Sequence, residues 1–388
     1  MEFRDLKRQY EPLIQSNYLG SILNMAKKDN GIILNGISKG NGYFYGMVCE
    51  SNCFVKVNAL TLAVEGIYEI DDMPQYCRRC NTDRTFFWQG KVYIVVWGVS
   101  NIYVFDTKLN EFIKPITMPD ECIRHHNAMM LRDSKIELFP CWGTPRISID
   151  LVSSTAVSLP TSNYKDYNMA ACFDVSGDVA YLADRLKGMI YKYDLQNNSV
   201  EEIELDSHEA GYLGIKIVDK QIAVLHLNCA KIDLYHKNGK KTEIDFSKND
   251  KLFDSYFSFQ ETFKNIVVWN NCIYFFSDED DSILKINPFE SSARIIFQED
   301  LNGNNGREYG YYDIYQDRDT VYKTSGDGRN WTIYSLSEES KIRRKMTSEV
   351  CLENIKGILE NAIASEIVKE DMYYCNLNAY LKYVSEGL

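Results

Sequence analysis

Three of the chain's five histidines, His125, His126 and His208, sit in short polar stretches that also carry arginine, tyrosine and carboxylate side chains. The stretches read Cys77-Arg78-Arg79-Cys80-Asn81, Cys122-Ile123-Arg124-His125-His126-Asn127, Tyr164-Lys165-Asp166-Tyr167-Asn168 and His208-Glu209-Ala210-Gly211-Tyr212. Two more are Tyr256-Phe257-Ser258-Phe259-Gln260-Glu261 and Arg307-Glu308-Tyr309-Gly310-Tyr311-Tyr312. An imidazole such as His126, set against Tyr167, Tyr212 or Tyr309, has the groups for acid–base chemistry, because one side chain can take a proton that the other gives. Arg79 or Arg124 could neutralise a substrate carboxylate through its two-pronged guanidinium. Glu209 and Glu261 are the carboxylate pair that cleavage of a glycosidic bond would need. Spacing along the chain fixes none of these pairings, so the fold must bring them together.

Metal chemistry has weaker support. Cys77 and Cys80 have zinc-ligand spacing, and Cys49 with Cys53 could complete a set of four. Yet eleven cysteines make one such spacing unsurprising, and the strand–helix setting of a redox dithiol is missing. Asp278-Glu279-Asp280-Asp281 offers clustered oxygens without the glycine turn of a calcium loop. Gly303-Asn304-Asn305-Gly306 and Gly326-Asp327-Gly328 open no helix after a strand, so they read as turns and not phosphate cradles. No metal and no cofactor is expected.

The elements that position the polar stretches follow from an internal repeat. An apolar alternation ends on a small polar anchor at Asn58, Asp106, Asp150, Asp194, His236, Asn287 and Ser335, at separations of 48, 44, 44, 42, 51 and 48 residues. Each anchor opens a polar turn, where Asp and Asn serve because their side chains can bond backbone groups two residues on. A further strand follows, over Val64–Ile70, Phe112–Ile116, Val157–Leu159, Val200–Leu205 and Arg294–Phe297. Two more precede each anchor, as in Asn81–Trp88 and Lys91–Trp97 joined through Gln89-Gly90, or Ala170–Asp174 and Asp178–Ala183 joined through Ser176-Gly177. Glycine supplies the positive φ that such hairpins require.

Four short antiparallel strands every 42–51 residues, repeated seven times, resemble a seven-bladed β-propeller. No blade carries the Trp-Asp pair of WD40 repeats or the Gly-Gly pair of kelch repeats. The expected fold is therefore all-β: a propeller over residues 31–346, with short helical extensions over 1–30 and 347–388. The helices are expected after Ser348, where Leu352, Ile355, Leu359 and Ile363 recur at helical spacing, at 376–385, and within 10–28.

This topology implies that the polar stretches, which connect blades, share a face with the loops between second and third strands. The expected ligand-binding set is Arg79, Arg124, His125, His126, Tyr167, Asn168, Glu209, Tyr212, Glu261 and Tyr309, with Trp97 and Trp142 from those loops. Aromatic rings stack on sugars, and arginines grip acidic groups. The expectation is a module that binds a small molecule, a glycan, a peptide or a partner protein there. The alternative is a hydrolase or lyase acting on a carbohydrate or other acidic, ring-containing substrate at the channel mouth. Self-association through the C-terminal helices is a further expectation. A net charge of -12 argues against sequence-independent binding of nucleic acid or of an anionic membrane. The charged N-terminus and the odd cysteine count suggest reduced thiols in a cytoplasmic protein.

Overall fold

The computed structural model describes residues 32–48, 51–70, 73, 84–96, 98–119, 128–141, 143–161, 167, 173–184, 188–204, 212–226, 231–236, 240–245, 266–277, 281–297, 313–324, 328–350, 356–358 and 361. They form seven sheets, each built on four antiparallel strands. Blades one to seven run over 34–69, 84–117, 129–159, 174–204, 212–245, 266–296 and 314–345. In every blade the four strands pair in sequence order. First strands touch the first strands of neighbouring blades, as Leu34–Gly40 does with Arg84–Trp88 and Ile314–Asp317. The fourth strands are the most exposed, Ser199–Glu204 and Ser340–Lys345 above all. The chain is a seven-bladed propeller, with first strands around the axis and fourth strands at the rim.

The repeat anchors fall where the third strands stop, at Asn58, Asp106, Asp150, Asp194, Asn287 and Ser335, with His236 one residue past Lys231–Tyr235. The turn chemistry is the expected one. Asp150 Oδ1 accepts the amides of Val152 and Ser153, both at 2.9 Å, and Asp194 Oδ1 those of Gln196 and Asn197, both at 2.9 Å. Asn58 and Asp106 repeat the device with the amides two and three residues on. The backbone bonds from Ser153 and Asn197 hold the Asp150 and Asp194 carboxyls below the usual range. The hairpin glycines Gly90 and Gly177 have φ of +77° and +60°. The blade-four hairpin is shifted from the expected register: its strands are Asp174–Ser176 and Val179–Ala183, with the turn at Gly177-Asp178. The same third-to-fourth-strand turns expose Leu60, Leu109 and Val152 on the face opposite the blade connections.

Seven apolar clusters fill the seven seams between blades. Strand alternation explains this. In blade one, Phe44 faces blade seven's Trp331 at a ring distance of 4.8 Å, while its neighbour Tyr45 stacks on blade two's Phe87 at 6.1 Å. Both faces of each blade are buried, so the strands read as nearly continuous apolar runs.

The ring closes at the seam between blades seven and one. Ile32 donates its amide to Gly328 O at 3.1 Å. Gly328 has φ of +65°, and a Cβ there would meet the Ile32 backbone, so only glycine fits. The helix expected to begin after Ser348 does not begin there. Thr347–Ser348 instead pairs in parallel with Ala63–Glu69 as a fifth strand of blade one. Thr347 N donates to Leu62 O at 3.2 Å, and Glu349 N to Val64 O at 3.0 Å. The open edge of Ala63–Glu69 offers carbonyls that outweigh local helical spacing. Helix is confined, among the described residues, to 356–358 and 361. Ile358, not one of the expected stripe residues, joins Val350 in the closing core. The segments 10–28 and 376–385 lie outside the described residues.

Truncation after Met346 tests this closure. It removes two backbone hydrogen bonds, at about 1 kcal/mol each, and the burial of Val350 and Ile358, at about 1.5 kcal/mol each. The expected loss is about 5 kcal/mol, read as a lower urea midpoint. An unchanged midpoint would assign closure to the apolar seam alone.

Candidate functional site

First strands start, and second strands end, on the face where the blades are connected. That face changes character around the ring. Counted from the inter-strand pairing, the residue that ends or directly follows the second strand is Val48 in blade one and Val96 in blade two, both buried. The matching residues of blades four, five and six are Asp184, His226 and Ser277, also buried. Asp281, Asp313 and Thr324 add buried polar groups at the same end. Buried polar groups persist only when paired, and each of these has partners.

Between blades three and four, Tyr191 donates its hydroxyl to Asp184 Oδ2 at 3.1 Å. Tyr167 packs its ring 4.3 Å from that of Tyr191 and donates its hydroxyl to Glu202 Oε1 at 3.0 Å. Burial, followed by the nearby carboxylates, raises both phenols well above the usual tyrosine range. In the same seam Glu137 pairs with the fully buried Arg146 at 3.0 Å and accepts from Ser148 at 2.9 Å.

Blade five carries a buried His226–Asp233 pair, with Nε2 3.0 Å from Oδ2, and Lys241 Nζ reaches the same oxygen at 2.9 Å. Burial would raise the Asp233 carboxyl, but hydrogen bonds from His226 and Lys241 outweigh it and hold the group low. Between blades six and seven, Asp281 accepts from Thr332 at 3.0 Å and from Arg343 Nε at 3.1 Å, and Arg343 Nη2 also bonds it. The buried Lys323 lies 4.0 Å away and donates to Ser277 O at 2.6 Å. Burial opposes ionisation of Asp281. The charges of Lys323 and Arg343 prevail and keep its carboxyl below the usual range.

At the axis, Asp313 precedes the first strand of blade seven. Its Oδ1 accepts the amide of Ile314 at 2.9 Å and its Oδ2 that of blade one's Ile37 at 3.1 Å. Arg84, which opens the first strand of blade two, places Nη1 3.6 Å from Oδ1. One carboxylate thus ties three blades together. Asp174 repeats the two backbone bonds of this device, accepting the amides of Val175 and of blade five's Ile217, both at 2.9 Å.

Of the expected ligand-binding set, Tyr167 is buried between blades three and four with its hydroxyl engaged. Tyr212 begins the first strand of blade five. Arg79, Trp97, Arg124, His125, His126, Trp142, Asn168, Glu209, Glu261 and Tyr309 lie outside the described residues, as do Cys49, Cys77 and Cys80. Cys53 is a buried thiol, and no group of metal-ligating residues occurs among the described residues. Arg84, Asp233, Asp313 and Lys323 escaped the sequence reading. Their signal is a charge inside an apolar alternation, as in Ile232-Asp233-Leu234 and Tyr322-Lys323-Thr324.

No family model matches the sequence, and no curated protein matches it. Solved structures do resemble the fold. Virginiamycin B lyase from Staphylococcus aureus aligns with a TM-score of 0.54 at 12% identity, over 79% of this chain and 95% of that one. A streptogramin B lyase aligns with a TM-score of 0.53 at 16% identity, over 78% and 93%. The Neurospora crassa Pan2 WD40 domain aligns with a TM-score of 0.51 at 11% identity, over 81% and 91%. At such identities the likeness is one of architecture. No helix among the described residues is long and apolar enough to cross a membrane.

The lowered Asp233 and Asp281 carboxyls make a pH prediction. Each folded-state value lies below the reference 3.8, so their stabilisation is full above that value and is lost as the pH falls below it. Replacing Asp281 by Asn should cost about 3 kcal/mol at neutral pH, because it strands the buried Lys323; the exposed side of Arg343 limits the loss. The variant should also lose part of the acid slope below about pH 4. Equal slopes in urea titrations of the two proteins would remove Asp281 from this account.

Proposed function

We propose that the protein is a binding module whose ligand, a glycan, a peptide or a partner protein, docks on the face where the blades are connected. The observation that carries this reading is the run of buried, hydrogen-bonded polar groups at that face from blade four to blade seven: Asp184, His226, Ser277, Asp281, Thr324 and Asp313. These groups fix the strand ends from which the loops leave. A loop anchored at rigid ends loses less freedom on binding, which favours affinity. The polar and aromatic connections of the sequence, with Arg79, Arg124, His126 and Tyr309, would supply the contacts.

A second reading is acid–base chemistry on a carbohydrate or other acidic, ring-containing substrate. It draws on the His226–Asp233 pair, an imidazole held by a carboxylate. The burial of His226 weighs against it, since a proton donor must reach its substrate.

Glycan and peptide arrays probed with the full chain, followed by calorimetry, test the binding reading. A triple variant, Arg124→Ala with His126→Ala and Tyr309→Ala, should keep the melting temperature and weaken any ligand so found at least tenfold, about 1.4 kcal/mol. A control on the opposite face, Leu60→Ser with Leu109→Ser and Val152→Ser, should leave affinity unchanged. The reverse pattern would overturn the proposal, and an absence of ligand on both arrays would exclude the glycan and the peptide and leave the partner protein as its ligand.

A further inference from the structure

Arg84 differs from the other arginines that meet a carboxylate. Arg132, Arg146, Arg294 and Arg343 each donate hydrogen bonds to one, respectively Asp178, Glu137, Glu339 and Asp281. Arg84 makes a single charged contact among the described residues, and at 3.6 Å that contact exceeds hydrogen-bond length. Asp313 does not need more from it, because Ile314 and Ile37 already donate to its two oxygens. The Asp313 side chain is 1% exposed, whereas that of Arg84 is 25% exposed. The charge of Asp313 therefore holds the guanidinium in place without using its planar fork of donors.

The backbone beneath this side chain is fixed. Arg84 pairs with Val95 in the sheet. The next residue, Thr85, is buried, and its hydroxyl meets Gly36 O, Ser38 Oγ at 2.8 Å and Tyr45 O at 3.3 Å, all in blade one. The first strand of blade one is bulged just there, between Asn35 and Ser38, with Gly36 at φ of +62°. Bulges of this kind re-aim strand ends beside sites. The result is a preset, partly exposed guanidinium at the start of an axial strand, on the face where the blades are connected. In a chain of net charge -12, long-range attraction for an anion is poor, so an anion must be recognised by such a short-range donor set.

We propose that Arg84 anchors an anionic group, a carboxylate or a phosphate, of the ligand taken at this face. The proposal rests on the binding reading above and names the chemistry it would use. A guanidinium meets either group through two parallel N–H···O bonds, which a lysine cannot reproduce.

Labelling the full chain with phenylglyoxal, read by peptide mass spectrometry, tests the proposal directly. Arg84 should react faster than Arg146, which is buried against Glu137. Inorganic phosphate or glutarate, used as probes, should slow labelling of Arg84 about tenfold at saturation. Protection by phosphate alone, or by glutarate alone, supports the site and tells which anion it takes. Labelling no faster than at Arg146, or protection by neither probe, overturns it. A second measurement uses Arg84→Lys, which keeps a cation beside Asp313 and should preserve melting. It should weaken an array-identified ligand about tenfold. If Arg84→Lys leaves affinity intact while the loop-face triple variant loses it, the anion role fails and the binding face stands. If neither variant affects affinity, both readings fail.

Discussion

The structure depends on burying both faces of every blade. A lone four-stranded sheet with two apolar faces is not stable in water. Seven of them can hide those faces only by leaning on one another in a closed ring, so the last seam matters as much as the first. Here that seam is made by side chains and by backbone. Trp331, Phe44 and Tyr322 interlock across it, while Thr347–Ser348 crosses from blade seven to the rim of blade one. The four antiparallel strands of each blade are consecutive in sequence, and blade one alone among the described residues gains a strand from the far end of the chain. That added strand ties blade seven to blade one through backbone bonds.

The same constraint explains where polar groups are tolerated. A charge facing a seam must find a partner within it or on the adjoining blade. Arg146 meets Glu137, Asp281 meets Lys323 and Arg343, and Asp233 meets His226 and Lys241. Blades one and two place Val48 and Val96 where blades four and five place Asp184 and His226. The ring is therefore asymmetric in chemistry while nearly symmetric in backbone. Ionisable pairs stand at one end of four blades, and those pairs fix strand ends. They are costly positions for a purely structural purpose, which is why that end is the one to probe.

Much of the architecture was legible in the sequence because the repeat has a local cause. An Asp or Asn ending an apolar alternation predicts its own turn, and Asp106, Asp150 and Asp194 accept the expected amides. The blade count followed from the anchors. The start of the C-terminal helix was misplaced at Ser348 because Leu352, Ile355 and Leu359 carry a helical spacing, whereas the bonding at Thr347 answers to a strand edge nearly 300 residues earlier in the chain. Local pattern holds no record of such an edge. The same limit applied to Arg84, Asp313 and Lys323. A charge inside an apolar alternation marks a buried position without naming its partner, and only the ring reveals that Asp313 joins blades seven, one and two.

That junction also shows how closure and binding can share residues. Asp313 is buried and needs compensation. Two backbone amides supply hydrogen bonds, and Arg84 supplies charge at a distance too long for a hydrogen bond. A neutral partner would leave the carboxylate uncompensated; a closely bonded arginine would spend its donors. The observed arrangement does neither. It stabilises the seam between the first and last blades and leaves a guanidinium directed by the fold and not consumed by it. A ligand anion arriving there would replace water around a cation that is already ordered, so little conformational entropy remains to be lost. The site that closes the ring is thus the one where an acidic ligand would find its partner prepared.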